Sequence, residues 1–379
     1  MAALHRPAVT RQLWLWGLVA VGSRLPVAMA PISLVFLGRA GTGGFSFGAI
    51  ATAVYVIGEI VGASVLGARL GRSRRQLPAG LVVGALAFAA TPFADGVVLL
   101  ALVFLAGAAP AAAPGGTRAM LTSLVREEKV ARALSAEAVL SQIVWAAAPA
   151  LAAALSFLIH PGAPMLVAAA FLLVAAVTLG WLPEPERVTA PISRSLLAAW
   201  PIFLTSSASN ALFAATELML PALLEERGIA YGWSGPMLTW FALACAAGAL
   251  IYGLRTWPGS VRLHSLVLLV GMALCIGITV FLPGLPGITV GLLFAGLFQA
   301  GAMVSRSLSL RERLPTHAHA AAYSVMYAFA GIGYGGSASI SAVALELSGA
   351  STAILIGVVI TLVIIGVSAS AERSVVKAT

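Results

Sequence analysis

The sequence predicts an all-α integral membrane protein: twelve transmembrane helices in two pseudo-symmetric six-helix halves, with both termini in the cytoplasm. Three observations carry this expectation. The 379 residues are 60% hydrophobic and only 9% charged, with a mean hydropathy of +1.01, whereas a soluble domain keeps ~25% charged residues to cover its surface. The apolar residues fall into twelve runs, most near the ~20 residues that cross a ~30 Å hydrocarbon core at ~1.5 Å each. Of the 22 Lys and Arg, 19 fall in alternate loops or termini. That is a positive-inside bias, which sets orientation rather than partners.

The first span, roughly Leu13 to Leu37, carries Arg24 and Pro26. Its basic start, apolar run and Ala28-Met29-Ala30 imitate a secretory signal with a cleavage site. Arg24 interrupts the run and apolar sequence continues to Leu37, so an uncleaved span is expected. The second, roughly Phe45 to Ala68, carries Glu59 and ends in Arg69, Arg72, Arg74 and Arg75. Then come Leu77–Pro92, Val97–Thr117, Ser135–Leu158 and Ala163–Leu182. A polar, Pro-containing stretch from Pro183 to Ser195 follows. The later spans are Leu196–Leu224, Trp233–Leu254, Leu263–Leu282, Gly287–Arg306, Ala320–Ala342 and Thr352–Ser370.

With the N-terminus inside, only Arg39 and Arg227 lie in outer loops, and Arg24 lies within a span. The net charge of +9 is therefore a matter of topology, and nucleic acid is not an expected partner. The runs are too long for barrel strands. Cys245 and Cys275 both fall within spans and read as small apolar residues, not as a disulfide.

The polar stretch divides the chain into residues 1–183 and 196–379, joined by a linker at 184–195. Six spans precede it, so the two halves run parallel and are readable as copies. Gly62-Ala-Ser-Val-Leu-Gly67-Ala-Arg69 matches Gly248-Ala-Leu-Ile-Tyr-Gly253-Leu-Arg255 at an offset of 186 residues. Thr117-Arg118 followed by Arg126-Glu127 is answered by Ser305-Arg306 followed by Arg311-Glu312. Parallel halves about an axis along the membrane normal, with a site between them, are a transporter arrangement.

The loop after the second span reads Gly67-Ala-Arg-Leu-Gly71-Arg72-Ser-Arg74-Arg75. It resembles the Gly-x-Leu-x-Asp-Arg-x-Gly-Arg-Arg pattern of the major facilitator superfamily. Gly67, Arg72 and Arg75 fit, while Gly71 stands at the Asp and Arg74 displaces the second Gly. Ala148-Pro149 occupies the place of the Gly-Pro that antiporter members carry in their fifth span. Four further stretches are similar to small bacterial efflux permeases of that family. They are Arg24-Leu-Pro26-Val-Ala-Met29, Thr117-Arg118-Ala-Met-Leu, Glu217 to Gly228, and Tyr252-Gly-Leu-Arg255. The resemblance covers the whole chain and implies the twelve-helix major facilitator fold. The fold alone does not give the substrate.

Arg24 and Glu59 lie about ten residues from the basic ends of spans that run in opposite directions, hence at similar depth. Charge inside a span is costly, and a functional site is its default reading. Glu59 is a candidate proton carrier with Arg24 as counter-charge or anion ligand; a fixed structural ion pair is the alternative. Glu217, two turns after Asn210 on a similar face, is a second candidate acid or substrate contact; the alternative is an outer-end acid paired with Arg227. Glu137 is expected to join Arg118 and the Arg72/Arg75 loop in a cytoplasmic gate, or else simply to favour a helix start. The family's loop Asp helps such closure, and Gly71 stands in its place.

Tyr323, Tyr327 and Tyr334 share a helix face at spacings of 4 and 7. With Trp145 and Trp240 they are candidate cavity residues, with core packing as the alternative. His264, His317 and His319 lack a carboxylate or thiolate cluster, so no metal site is expected. There is no phosphate-cradling Gly-rich loop followed by Lys-Ser/Thr, which excludes an ATP-driven pump at motif level.

These readings converge on a secondary active transporter rather than an enzyme. The expected activity is proton-coupled efflux of small amphipathic or hydrophobic molecules by alternating access. Proton-coupled uptake of a sugar, organic anion or peptide is the alternative. The expected energy source is the proton gradient, with no cofactor. The expected setting is the inner (plasma) membrane, as a multi-pass monomer whose partners are the lipid bilayer, protons and a small-molecule substrate.

Overall fold

The computed structural model describes residues 6–40, 44–70, 75–183 and 193–376, and these are helical almost throughout. The helices are α1 (Arg6–Ala40), α2 (Gly44–Val65), α3 (Gln76–Ala90), α4 (Gly96–Ala108), α5 (Ala113–Leu124), α6 (Val130–Leu158) and α7 (Ala163–Leu179). They continue with α8 (Ser193–Ala198), α9 (Trp200–Glu226), α10 (Ser234–Leu254), α11 (Val261–Thr279), α12 (Gly284–Arg313), α13 (His319–Ser348) and α14 (Ala350–Val376). Among the described residues, eleven helical segments are long and apolar enough to cross a membrane, and Ala163–Leu179 is an apolar helix of 17 residues. Large apolar side chains stand exposed along them, such as Leu86, Phe104, Val174 and Phe294. In water such a surface would aggregate, whereas in lipid tails it is at home.

The breaks have local causes. The fourth apolar run is interrupted between α4 and α5 around Pro110, which has no N–H to continue the ladder. Ala113 N bonds instead to Pro110 O at 2.8 Å, and helix resumes with Pro114 in the first turn of α5. The helical segment therefore runs to Leu124, beyond the Thr117 expected from hydropathy, and Arg118 sits within a helix. Likewise α12 extends to Arg313, so Arg306 and Arg311 are helical residues rather than loop residues. Gly228, at φ +68°, ends α9, and Gly349, at φ +89°, turns the chain into α14. Both conformations suit glycine because it has no Cβ to clash.

The described chain forms two compact units. One comprises residues 1–130, 143–194 and 316–328, and the other comprises 131–142, 195–315 and 329–379. Within the first, α1 packs on α2, α5 and α7, α2 packs on α4, and α3 packs on α4 and α7. Within the second, α9 packs on α12 and α14, α10 packs on α12, and α11 packs on α12 and α14. The second pattern largely repeats the first, with α12 in the place of α4 and α5, although α9 and α10 touch far less than α1 and α2. Glycine makes the closest of these approaches: a Cβ on Gly62 would overlap the Ala108 backbone, and one on Gly248 would overlap the Leu297 backbone. Gly62 and Gly248 are equivalent positions in the internal repeat. Such contacts hold helices together where lipid offers no hydrophobic drive between them.

Candidate functional site

Glu59 lies on α2, half-buried, and Tyr327 Oη of α13 donates a hydrogen bond to its Oε1 at 3.4 Å. The phenol lies within electrostatic reach of Arg24 as well, and all three residues belong to the first unit. Arg24 itself is buried. Hydropathy and spacing placed Arg24 and Glu59 at similar depth, but the phenol bonded to Glu59 comes from a residue 268 positions later.

Tyr55 was not singled out by the sequence. It is fully buried one helical turn before Glu59, its ring edge-on to Phe88 at 6.1 Å. Its hydroxyl has no hydrogen-bond partner among the described residues, and it lies within electrostatic reach of both Glu59 and Tyr327. The sequence signal was present in the i, i+4 spacing to Glu59.

Glu217 of α9 accepts a hydrogen bond from Tyr334 Oη of α13 at 3.0 Å, in the second unit. Arg227, the alternative partner, donates instead to the carbonyl of Val280. Phe213, one turn before Glu217, stacks on Phe241 of α10 at 5.4 Å and lies 6.3 Å from the Tyr334 ring. Asn210 is half-buried and gives its amide N–H to Ser206 O at 3.0 Å.

The three tyrosines of α13 share a face, as expected, but not an environment. Tyr327 and Tyr334 each bind a carboxylate. Tyr323 is 1% exposed, with the Arg118 guanidinium 5.8 Å above its ring and His319 packed at 6.3 Å. It therefore packs against the gate candidate Arg118. Trp145 and Trp240 are 51% and 40% exposed, and no aromatic contact joins either to this set among the described residues.

Of the remaining gate candidates, Glu137 is buried in the second turn of α6 in the second unit, and Arg75 is exposed before α3. Arg72, with Gly71 and Arg74, lies outside the described residues. No group of three or more His, Cys, Asp or Glu suited to a metal occurs among the described residues.

Three glycine–serine contacts accompany these residues. A Cβ on Gly67 would overlap Ser324 Cβ, and one on Gly115 would overlap Ser324 Oγ. Ser324, at the start of α13, is thus seated against the ends of α2 and α5 within the first unit. In the second unit a Cβ on Gly253 would overlap Ser135 of α6. Gly67 and Gly253 are equivalent in the repeat, and each receives a serine from the other half of the sequence.

The largest departure from the sequence reading is Arg306. It counted there as a basic loop residue, but it is 2% exposed and the largest of the fully buried side chains. Its Nη2 donates to Ser209 Oγ at 3.1 Å, and Ser209 Oγ donates to Gln299 Oε1 at 2.7 Å. Hydropathy could not find it, because Arg306 closes an apolar run and resembles a stop signal.

The family model described as Major Facilitator Superfamily matches residues 16–259, well over half of the chain. The chain belongs to the major facilitator superfamily. No curated protein matches it in sequence. Among solved structures, the human organic anion transporter MFSD10 (TETRAN) is similar at a TM-score of 0.76 and 16% identity, covering 95% of this chain and 99% of that one. The E. coli fucose:proton symporter FucP is similar at 0.74 and 16%, covering 93% and 97%. A bacterial homologue of the iron transporter ferroportin, in an outward-facing state, is similar at 0.75 and 14%, covering 96% and 99%. At these identities the likeness is one of fold, and the chain is a multi-pass transporter of the MFS type.

Proposed function

We propose that this MFS transporter is a proton-coupled exporter of small amphipathic or hydrophobic molecules, with Glu59 and Glu217 as its proton sites. The observation that carries the proposal is the pair of tyrosines on α13, one heptad apart, each holding one of these acids. A carboxylate inside a span is expensive unless it is bonded or protonated, so each acid has two stable conditions. Bonded to its tyrosine it is held charged; with the tyrosine withdrawn, binding a proton removes the cost. Movement of α13 against α2 thereby exchanges a phenol for a proton at Glu59, while at Glu217 the same exchange needs a local shift between α9 and α13. Differential affinity of this kind is what couples a gradient to a conformational change.

The proposal takes twelve membrane spans, with Ala163–Leu179 as the shortest, and both termini in the cytoplasm, the side on which Lys and Arg are concentrated even with the buried Arg306 left out. Residues 1–183 rock against 196–379, the Gly67–Ser324 and Gly253–Ser135 contacts parting in one direction of the cycle. Arg118, Arg75, Arg72 and Glu137 act at that cytoplasmic gate. The protein works as a monomer in the plasma membrane, with no cofactor. The substrate class follows from spans poor in polar side chains and from the likeness of several stretches to efflux permeases.

Uptake in symport with a proton is the second reading, favoured by the buried Arg24 and Arg306, which suit an anionic cargo. The fold likeness to a fucose:proton symporter fits it equally. Proteoliposomes with an imposed pH gradient test both. Glu59→Gln and Glu217→Gln are expected to abolish gradient-driven flux while leaving gradient-independent counterflow. Wild-type gradient-driven rates in Glu59→Gln would overturn the proton assignment, and the sign of the gradient that drives accumulation decides export against uptake.

A further inference from the structure

The polar chain Arg306–Ser209–Gln299 has a direction. Arg306 Nη2 is a donor, so Ser209 Oγ receives at 3.1 Å and passes its own proton on to Gln299 Oε1 at 2.7 Å. Gln299 thus engages its acceptor inward, which leaves the two N–H donors of its amide group at the other end. Arg306 and Ser209 are fully buried, while Gln299 is half-buried and stands at the midpoint of the 30-residue α12. A guanidinium charge transmitted through a hydroxyl polarises this amide, because hydrogen bonds in sequence strengthen one another at low dielectric. The accessible end of the chain is therefore a polarised donor backed by a buried positive charge.

An aromatic surface begins one turn away. Phe213 follows Ser209 by four residues on α9, which places both on one face. Its ring stacks on Phe241 at 5.4 Å and approaches Tyr334 at 6.3 Å. Phe241 belongs to the stretch of α10 that touches α12 at Gly296, one turn before Gln299. Donor end and aromatic end are thus adjacent, on three helices of the second unit. The equivalent of Arg306 in the repeat, Arg118, lies over the Tyr323 ring.

We propose that this donor-to-aromatic step binds an aromatic organic anion, its carboxylate on the Gln299 amide and its ring on Phe213. Donor-rich polar ends accept anions, and a flat apolar body matches the adjoining rings. The site names a substrate class for the transport reading and rests on it for its physiological meaning. Binding itself needs neither a gradient nor the two carboxylates.

The test uses three compounds of one shape on the purified full-length protein in detergent: benzoate, benzamide and benzylamine. Benzoate is expected to raise the unfolding midpoint in a saturable way, benzamide weakly and benzylamine not at all. Gln299→Leu and Ser209→Ala are each expected to weaken benzoate binding about tenfold, the scale of a lost hydrogen bond to a charged group. Phe213→Ala is expected to weaken benzoate and benzamide alike. Arg306→Lys, which keeps the charge, is expected to retain benzoate binding and guards against a misfolded neutral variant. No saturable benzoate shift, equal shifts for benzoate and benzamide, or unchanged benzoate affinity in folded Gln299→Leu and Ser209→Ala would each overturn the proposal. If benzoate binds as expected but no proton-linked flux appears in proteoliposomes, the coupling reading fails and the site stands. Proton-linked flux of cations without benzoate binding sinks the site and leaves the coupling.

Discussion

Tyr327 and Tyr334 show how much a single hydroxyl decides at the scale of the residue. Replacing either by Phe keeps ring volume and removes only the donor to Glu59 or Glu217. A hydrogen bond to a charged group contributes roughly 1.5–3 kcal/mol, so Tyr327→Phe is expected to slow gradient-driven transport about tenfold or more while lowering the unfolding midpoint by no more than the loss of that one bond. Initial rates in proteoliposomes check this, and a wild-type rate would reduce Tyr327 to a packing residue. Glu226 has a different task. Its carboxylate accepts from the backbone N–H groups of Ala350 and Ser351 and from Ser351 Oγ at 2.9 Å, capping α14 from another helix. Glu226→Ala is expected to lower stability by about 1 kcal/mol without touching coupling, since cap removal generally costs that much. The sequence marked Glu59 and Glu217 because a charge in an apolar run is conspicuous. It could not mark Gln299 or Ser209, since neutral polar residues in spans are common.

At the scale of the element, the helices were legible because their signal is local: apolar runs of spanning length bounded by Arg, Gly or Pro. The ends were less so, since α5 and α12 continue past the basic residues that hydropathy reads as stops. Arginine's long stem allows helix to continue while the head finds polar partners. The glycine repeat predicts where elements meet most closely. Gly62→Leu is expected to destabilise by about 1–3 kcal/mol, because the side chain would have to displace the Ala108 backbone. Gly17→Ala, which meets nothing within 4 Å, is expected to be neutral or slightly stabilising. Thermal unfolding of both variants in the same detergent makes the comparison; equal midpoints would mean that α2 and α4 shift freely.

At the scale of the whole molecule, the compact units do not follow the order of the chain. Residues 131–142 belong with the second unit and 316–328 with the first, seated at Gly253 and Gly67 respectively. If these seats close and part during transport, Gly67→Val and Gly253→Val will each reduce turnover far more than stability, and the double variant will lose no more than the stronger single one. Full additivity in transport rate would argue that the two seats act independently. Measuring unfolding midpoints alongside rates separates the two effects.

Composition and periodicity by themselves determined the membrane class, the helical fold and the two conspicuous acids, and the motifs of the chain pointed to its family. All are properties of single segments or of their repetition. Only the tertiary structure decided what each charge meets. Glu59 finds a tyrosine from α13, Arg118 an aromatic face, and Arg306 a buried hydroxyl chain. The physical reason is that a bilayer demands apolar residues on one face of a helix but leaves the inner face free. Partners there are brought together by helices far apart in sequence, and no local pattern records which ones.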